Sequence, residues 1–328
     1  MRRRSIRSRL SPLPEALAGA PPSWRGVGVY LALAFGLSWA AQIALSLALR
    51  GGPQTLASLG AGILVAALFL MWPPAIGAFV ARRWVEAGSP RRTVAGGFTD
   101  GGLRWPAWRY VALAWLGPAA LTLLTAVASL PLYPFDPAFA PLRELAERSG
   151  RPLPAAPEVV AIVQLAFALT LAVPINSLFA LGEELGWRGY LLPRLMALRG
   201  PWSGLLLHGA IWGFWHAPLI VLTGYNYPRH QLLGVGLFVV SGALMGVLLG
   251  WLQLASRSVI SPTIAHGALN AIGGAPLLVL RGVDPAVGGV VYSPIGWVVL
   301  ALAIALLWRS GTLDRALQPW RRPHATSA

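Results

Sequence analysis

The sequence predicts an all-α polytopic membrane bundle of about eight transmembrane helices, with both termini inside. Three observations lead there. Of 328 residues, 56% are hydrophobic and only 11% are charged, against about a quarter charged in a soluble domain. Apolar runs of about 20 residues, enough to cross about 30 Å of hydrocarbon, recur along the chain. The basic residues, all 26 of them Arg, cluster between those runs. This balance excludes a soluble globular enzyme, a disordered chain and a nucleic-acid-binding protein. The net charge of +15 suits loops at an anionic membrane face. With no Cys in the chain, disulfides and thiolate metal sites are ruled out. Abundant Ala, Gly, Pro and Arg without Lys suggest a GC-rich bacterial genome, and so a multi-pass protein of a bacterial inner (cytoplasmic) membrane.

The eight expected spans are Val27–Leu49, Leu56–Ala81, Tyr110–Leu132, Val159–Ala180, Trp202–Leu222, Leu232–Leu254, Val259–Leu280 and Val290–Trp308. The second carries Pro73 and Pro74, and the fourth Pro174, breaks that neighbouring helices can satisfy. With the N-terminus inside, 20 of the 26 Arg fall on the inner side, so N-in and C-in follow. Residues 1–24 and 310–328 read as Arg-rich cytoplasmic tails flanking a membrane domain over 25–309. Segment 133–158 reads as a partly ordered outer connector.

Ionisable residues inside a span are costly and are functional candidates by default. Nine of 11 acidic residues lie in loops, tails or span ends; the exceptions are Glu183 and Glu184. His208, His216 and His266 fall in spans. Glu184 and Arg188 are four apart with the acid on the N-terminal side, the favourable ion-pair arrangement on a helix. Glu183 lies about 100° round the same helix and keeps a free carboxylate. Trp212 and His216 share a face, so an aromatic wall presses on that imidazole. His266 and Asn270 share another. Each residue has an ordinary reading: an interfacial anchor for the Glu pair, helix–helix hydrogen bonding for a lone His or Asn. The combination, in chain order on spans four, five and seven, is what points to chemistry.

That combination resembles the CPBP family, the CAAX proteases and bacteriocin-processing enzymes also called the Abi family. Gly182-Glu183-Glu184-Leu185-Gly186-Trp187-Arg188 looks like its Glu-Glu-x-x-x-Arg motif. Trp212-Gly213-Phe214-Trp215-His216 looks like Phe-x-x-x-His, with Trp212 in place of Phe. His266-Gly267-Ala268-Leu269-Asn270 looks like His-x-x-x-Asn. The resemblance covers about residues 158–275, the expected catalytic core. It implies an intramembrane peptidase, whose prenyl-protein members cut after the prenylated Cys of a C-terminal CAAX sequence. Carried over by motif, Glu183, His216, His266 and Asn270 are the catalytic positions. Glu184 and Arg188 are the supporting pair, joined by Trp212.

The expected chemistry is peptide hydrolysis in a membrane-associated peptide or protein. Glu183 is the base, His216 helps polarise the water, and His266 and Asn270 donate to the developing oxyanion. A zinc-dependent metalloprotease is the alternative, with Glu183, His216 and His266 as ligands and an open fourth position. No His-Glu-x-x-His helix occurs and no clear second base would remain, so the metal-free form is favoured and no cofactor is required. A non-catalytic immunity or scaffold protein and a proton-relay transporter are the competing classes. Substrates stay open between a prenylated CAAX tail and another membrane peptide. By depth along the spans, Glu183 and His266 read as shallow and His216 as deeper. Arg188, Arg194 and Arg199 are expected near a cytoplasmic mouth, where they would attract a substrate carboxylate.

Overall fold

The computed structural model describes residues 22–50, 68–86, 102–148, 150 and 152–321. Among the described residues there are helices and turns and no named strand; one isolated bridge joins Phe135 to Leu280. Helix α1 runs over Trp24–Arg50. Helix α2 is Pro73–Val80, continued by a π-helical turn at Ala81–Val85. Helices α3, α4 and α5 are Trp108–Ser129, Ala140–Arg148 and Pro157–Leu169. Helix α6, Ala172–Gly186, passes through a π turn at Trp187–Leu191 into α7, Leu192–Arg199. Helices α8 and α9 are Pro201–Trp215 and Ala217–Thr223. Helices α10 to α13 are Gln231–Ser256, Ile260–Ile272, Pro294–Arg309 and Thr312–Leu317.

Among the described residues, four helices are long and apolar enough to cross a membrane: Trp24–Ala48, Trp108–Ser129, Pro201–Thr223 and Gln231–Ser256. Two more candidates are bent pairs, Pro157–Leu169 with Ala172–Arg199 at 47° and Pro294–Arg309 with Thr312–Trp320 at 75°. The chain is therefore an all-α, multi-pass membrane protein. Its outer surface agrees. Helix α3 turns Leu116, Leu123 and Leu124 outward and buries Ala114, Thr122 and Thr125. Small and polar side chains inside with Leu outside is how helices pack when lipid, not water, surrounds them.

The expected spans map onto this unevenly. The fourth, Val159–Ala180, is two helices that meet at Thr170–Leu171. Pro174 lies in the first turn of α6, where its missing N–H costs no helical bond. The seventh, Val259–Leu280, contains a helix of only 13 residues, about 20 Å long. It stops because Gly273, Gly274 and Pro276 follow, and a 3-10 turn at Ala275–Leu278 takes over. For the second, Leu56–Ala81, residues 51–67 lie outside the described residues. So do residues 1–21, 87–101 and 322–328, with most of the expected N-terminal tail and the end of the C-terminal one. The connector 133–158 holds α4, introduced by Asp136, whose carboxylate accepts the backbone N–H groups of Ala138 and Ala140.

Helices α6, α8 and α11 enclose the site, supported by α1, α2, α3 and α10. The packing is closest where glycine removes the side chain. Gly209 on α8 faces Gly242 on α10, and a Cβ on Gly242 would lie 2.6 Å from the Gly209 carbonyl oxygen. Gly186, at the end of α6, faces Pro74 on α2 in the same way: a Cβ there would lie 2.6 Å from that residue's carbonyl carbon and oxygen. Backbone cannot yield as a flexible side chain can, so these contacts set the interhelical distance.

Two outcomes follow from these contacts. Gly186→Ala should push α6 from α2 and cost about 1–3 kcal/mol, the usual range for overpacking. A lower midpoint of thermal unfolding in detergent checks it. Asp136 is paired with Arg281 at 2.9 Å, and that hydrogen bond, followed by those from Ala138 and Ala140, lowers its pKa. A depressed carboxylate contributes stability above its unfolded value of about 3.9, and the contribution is lost as pH falls through the lower folded value. Asp136→Asn should therefore unfold more readily than the wild type near neutrality, and the difference should vanish in strong acid.

Candidate active site

The site begins at the end of α6, where an apolar helix places two carboxylates side by side. Both are buried, and the helix turn sends them to different partners. Glu184 Oε1 accepts from Arg188 Nη1 at 2.7 Å, four residues on. Neither side chain is exposed. The guanidinium also lies over the Trp212 ring, 4.4 Å from its centroid. A buried charge without a partner is costly, whereas a paired and hydrogen-bonded one is tolerated. Arg188 lies within the π turn that begins at Trp187, and such turns concentrate at functional places in helices.

Glu184 has a second partner that helical spacing could not supply. Nδ1 of His266, on α11, lies 2.7 Å from the same Oε1. A carboxylate accepts, so Nδ1 carries the proton and Nε2 is the nitrogen facing away. Glu184 thus orients the His266 ring as well as neutralising Arg188. Asn270, one turn along α11, is exposed, and its side chain makes no hydrogen bond among the described residues. Its amide is free to bind a ligand.

Glu183 takes the other direction. Its Oε2 accepts from Trp212 Nε1 at 2.8 Å and from Trp187 Nε1 at 3.3 Å. Its Oε1 accepts no hydrogen bond, and it is not among the fully buried polar atoms lacking a partner. One oxygen is held and the other is open.

His216 sits at the break between α8 and α9. Its Nδ1 lies 2.9 Å from the Trp212 carbonyl, one turn back. A carbonyl only accepts, so Nδ1 is the protonated nitrogen and Nε2 is free. Trp215 and Phe238 meet the imidazole edge-on, each with centroids 4.7 Å away. Trp212 lies 5.8 Å from His216 and 5.2 Å from His266, centroid to centroid. The residues that read as lying at different depths are therefore linked through one indole. Helix α8 begins at Pro201, so a later start of this span is not what brings them together.

Gln42, on α1, has a part that its sequence neighbours do not disclose. It bridges the α8–α9 break, donating to the Trp215 carbonyl at 3.3 Å and accepting from the Leu219 N–H at 3.2 Å. Trp39 donates to the same carbonyl at 2.9 Å. Pro218, two residues after His216, was the available signal: a proline there leaves backbone groups that need another partner.

Two of the three arginines expected at a mouth are engaged elsewhere. Arg188 is sealed against Glu184. Arg194 is buried and forms a two-pronged contact with Glu86, which also accepts from Tyr190 Oη at 2.9 Å. Neither is open to a substrate carboxylate. Arg199 lies over the Trp24 ring, 5.0 Å from its centroid. Among the described residues, no group of three or more His, Asp or Glu side chains is placed to hold a metal ion.

The sequence model described as type II CAAX prenyl endopeptidase Rce1-like matches residues 159–272. That segment is similar to the Rce1-like family. It contains Glu183, Glu184, Arg188, Trp212, His216, His266 and Asn270, and it bears out the resemblance read from the three motifs. A CAAX prenyl protease 2 of Methanococcus maripaludis is 37% identical over 105 residues, covering 30% of this chain and 39% of that protein. The match thus spans about two fifths of the curated relative's length. The helices before and after the Rce1-like segment fall outside the family match.

Glu184→Gln should have two separable effects. Leaving Arg188 buried without its counter-charge should cost about 3–5 kcal/mol, read as a lower unfolding midpoint and folded yield. The folded fraction should also lose activity, because His266 loses its orienting carboxylate. Full activity per folded molecule would restrict Glu184 to a structural role.

Proposed function

We propose that the protein is an intramembrane endopeptidase of the CAAX-protease type, acting through a water activated by Glu183. The observation that carries this reading is the divided carboxylate. Glu183 Oε2 is held by two indoles while Oε1 is open, and the Trp212 indole also meets both imidazoles, whose Nδ1 atoms are occupied. A base needs one free lone pair in a fixed position, and the arrangement supplies it. The Rce1-like match over these residues supports the same reading.

Water placed between Glu183 Oε1 and His216 Nε2 attacks the scissile carbonyl carbon and gives its proton to the carboxylate. The carbonyl becomes an oxyanion, to which Asn270 donates from its amide and His266, in its imidazolium form, donates from Nε2. Glu183 then delivers the proton to the departing nitrogen as the C–N bond breaks. The proton left on the new carboxyl group passes to the amine, so the products are a carboxylate and an ammonium, and the Glu183 carboxylate returns to its starting state. No metal takes part in these steps.

The substrate is a membrane-associated peptide or protein. The curated relative's name points to a prenylated CAAX tail, and a bacterial membrane peptide would meet the same chemistry. With the Arg-rich loops inside, the protein sits in a bacterial cytoplasmic membrane and the site opens to the cytoplasm.

The test uses liposomes containing the purified protein and a peptide with an S-farnesyl cysteine fourth from its C-terminus. Wild type should release the last three residues, and Glu183→Gln should reduce the rate by at least about 10²-fold, as expected for loss of a general base, without changing the unfolding midpoint. Cleavage should persist in excess chelator. Retained activity in Glu183→Gln would overturn the base assignment. Stoichiometric zinc whose removal abolishes activity and whose return restores it would overturn the metal-free chemistry.

A further inference from the structure

Trp212 stands where the resembling motif has an aromatic without a polar atom. Indole and phenyl rings both fill space against His216 and His266, but only the indole has an N–H donor. Here that donor is used: Trp212 Nε1 lies 2.8 Å from Glu183 Oε2, the shorter of the two indole bonds to that atom. Trp212 is on α8 and Glu183 on α6, so this bond also joins two helices across the site.

We propose that Trp212, assisted by Trp187, is a positioning residue that anchors Glu183 Oε2 and presents Oε1 to the water. The inference rests on the reading of Glu183 as the base. The physical argument concerns the last torsion of the side chain. A carboxylate turns easily about that bond, which has a broad, two-fold preference. Two donors on one oxygen arrest the turn and make the oxygens inequivalent. They also favour the ionised form, because a hydrogen bond to a charged group stabilises the charge. The anchoring ring is itself fixed, with Arg188 over its face at 4.4 Å and the two imidazoles against it at 5.2 and 5.8 Å.

Trp212→Phe separates the donor from the ring, since phenylalanine keeps an aromatic face toward Arg188 and both imidazoles. Two measurements read the result. The first is the pH dependence of kcat/KM on the farnesylated peptide in liposomes. The second, independent of turnover, is the pH titration of the Glu183 carboxyl stretch by infrared difference spectroscopy, assigned as the band missing in Glu183→Gln. In Trp212→Phe both the acidic limb and the band midpoint should move up by about one to two pH units, the shift equivalent to one hydrogen bond to a charged group. On the acidic side of both limbs, the rate should fall about tenfold or more below wild type. KM should change little. Trp187→Phe, which removes the longer bond, should shift both measures in the same direction by less, and it serves where Trp212→Phe folds poorly.

An unmoved band midpoint in a folded variant would overturn the positioning role, even with Glu183→Gln inactive. An inactive wild type, or an active Glu183→Gln, would instead overturn the reading of Glu183 as the base. The infrared titration still decides, in that case, whether Trp212 anchors the carboxylate.

Discussion

The ion pair of Glu184 and Arg188, sealed from solvent on both sides, is the contact on which the rest of the site depends. In a bundle built largely of Leu, Ala, Val and Gly, a carboxylate sealed from water must be answered by protein. Arg188 answers Glu184 within one helical turn. The pair then serves as a fixed base from which other groups are oriented. Its shared oxygen turns His266, and its guanidinium lies against the Trp212 ring. That ring in turn supplies the hydrogen bond to Glu183. Charge and orientation are thus successive consequences of one neutralised pair.

A second constraint is backbone proximity. The side chains converge only because α6 reaches α2 through Gly186 and α8 reaches α10 through Gly209 and Gly242. The breaks are equally necessary. His216 occupies the junction of α8 and α9, and backbone groups on either side of it are satisfied by Gln42 and Trp39 of α1. A helix outside the Rce1-like match therefore supports a residue inside it. The outlying helices are part of the site's construction.

Polarity is distributed economically through this interior. Glu86, Tyr190 and Arg194 form a further buried cluster, which holds the turn after α2 to the π turn and α7. Its geometry shows why counting arginines near a loop overstates what is available to a ligand. A guanidinium on a membrane-facing loop and one locked to a buried carboxylate contribute equally to net charge. Only the first can meet a substrate.

The sequence by itself determined the all-α membrane class, because apolar runs and Arg placement are local properties that lipid and membrane charge act on directly. It also determined the Glu184–Arg188 pair, since residues four apart on a helix meet whatever surrounds them, and the three motifs on which the family resemblance rests. The tertiary structure decided what spacing within one helix cannot express. Glu184 also holds His266, which is 82 residues away. Gln42 braces the break beside His216, and the short helix α11 stops at Gly273 and Gly274, well before the apolar run ends. Above all, it decided that Trp212 gives its N–H to Glu183. An aromatic at that position reads along the chain as a wall, since hydrophobicity is a property of the residue. Which atom a donor faces depends on the angle and distance between two helices, and those follow from packing the whole bundle.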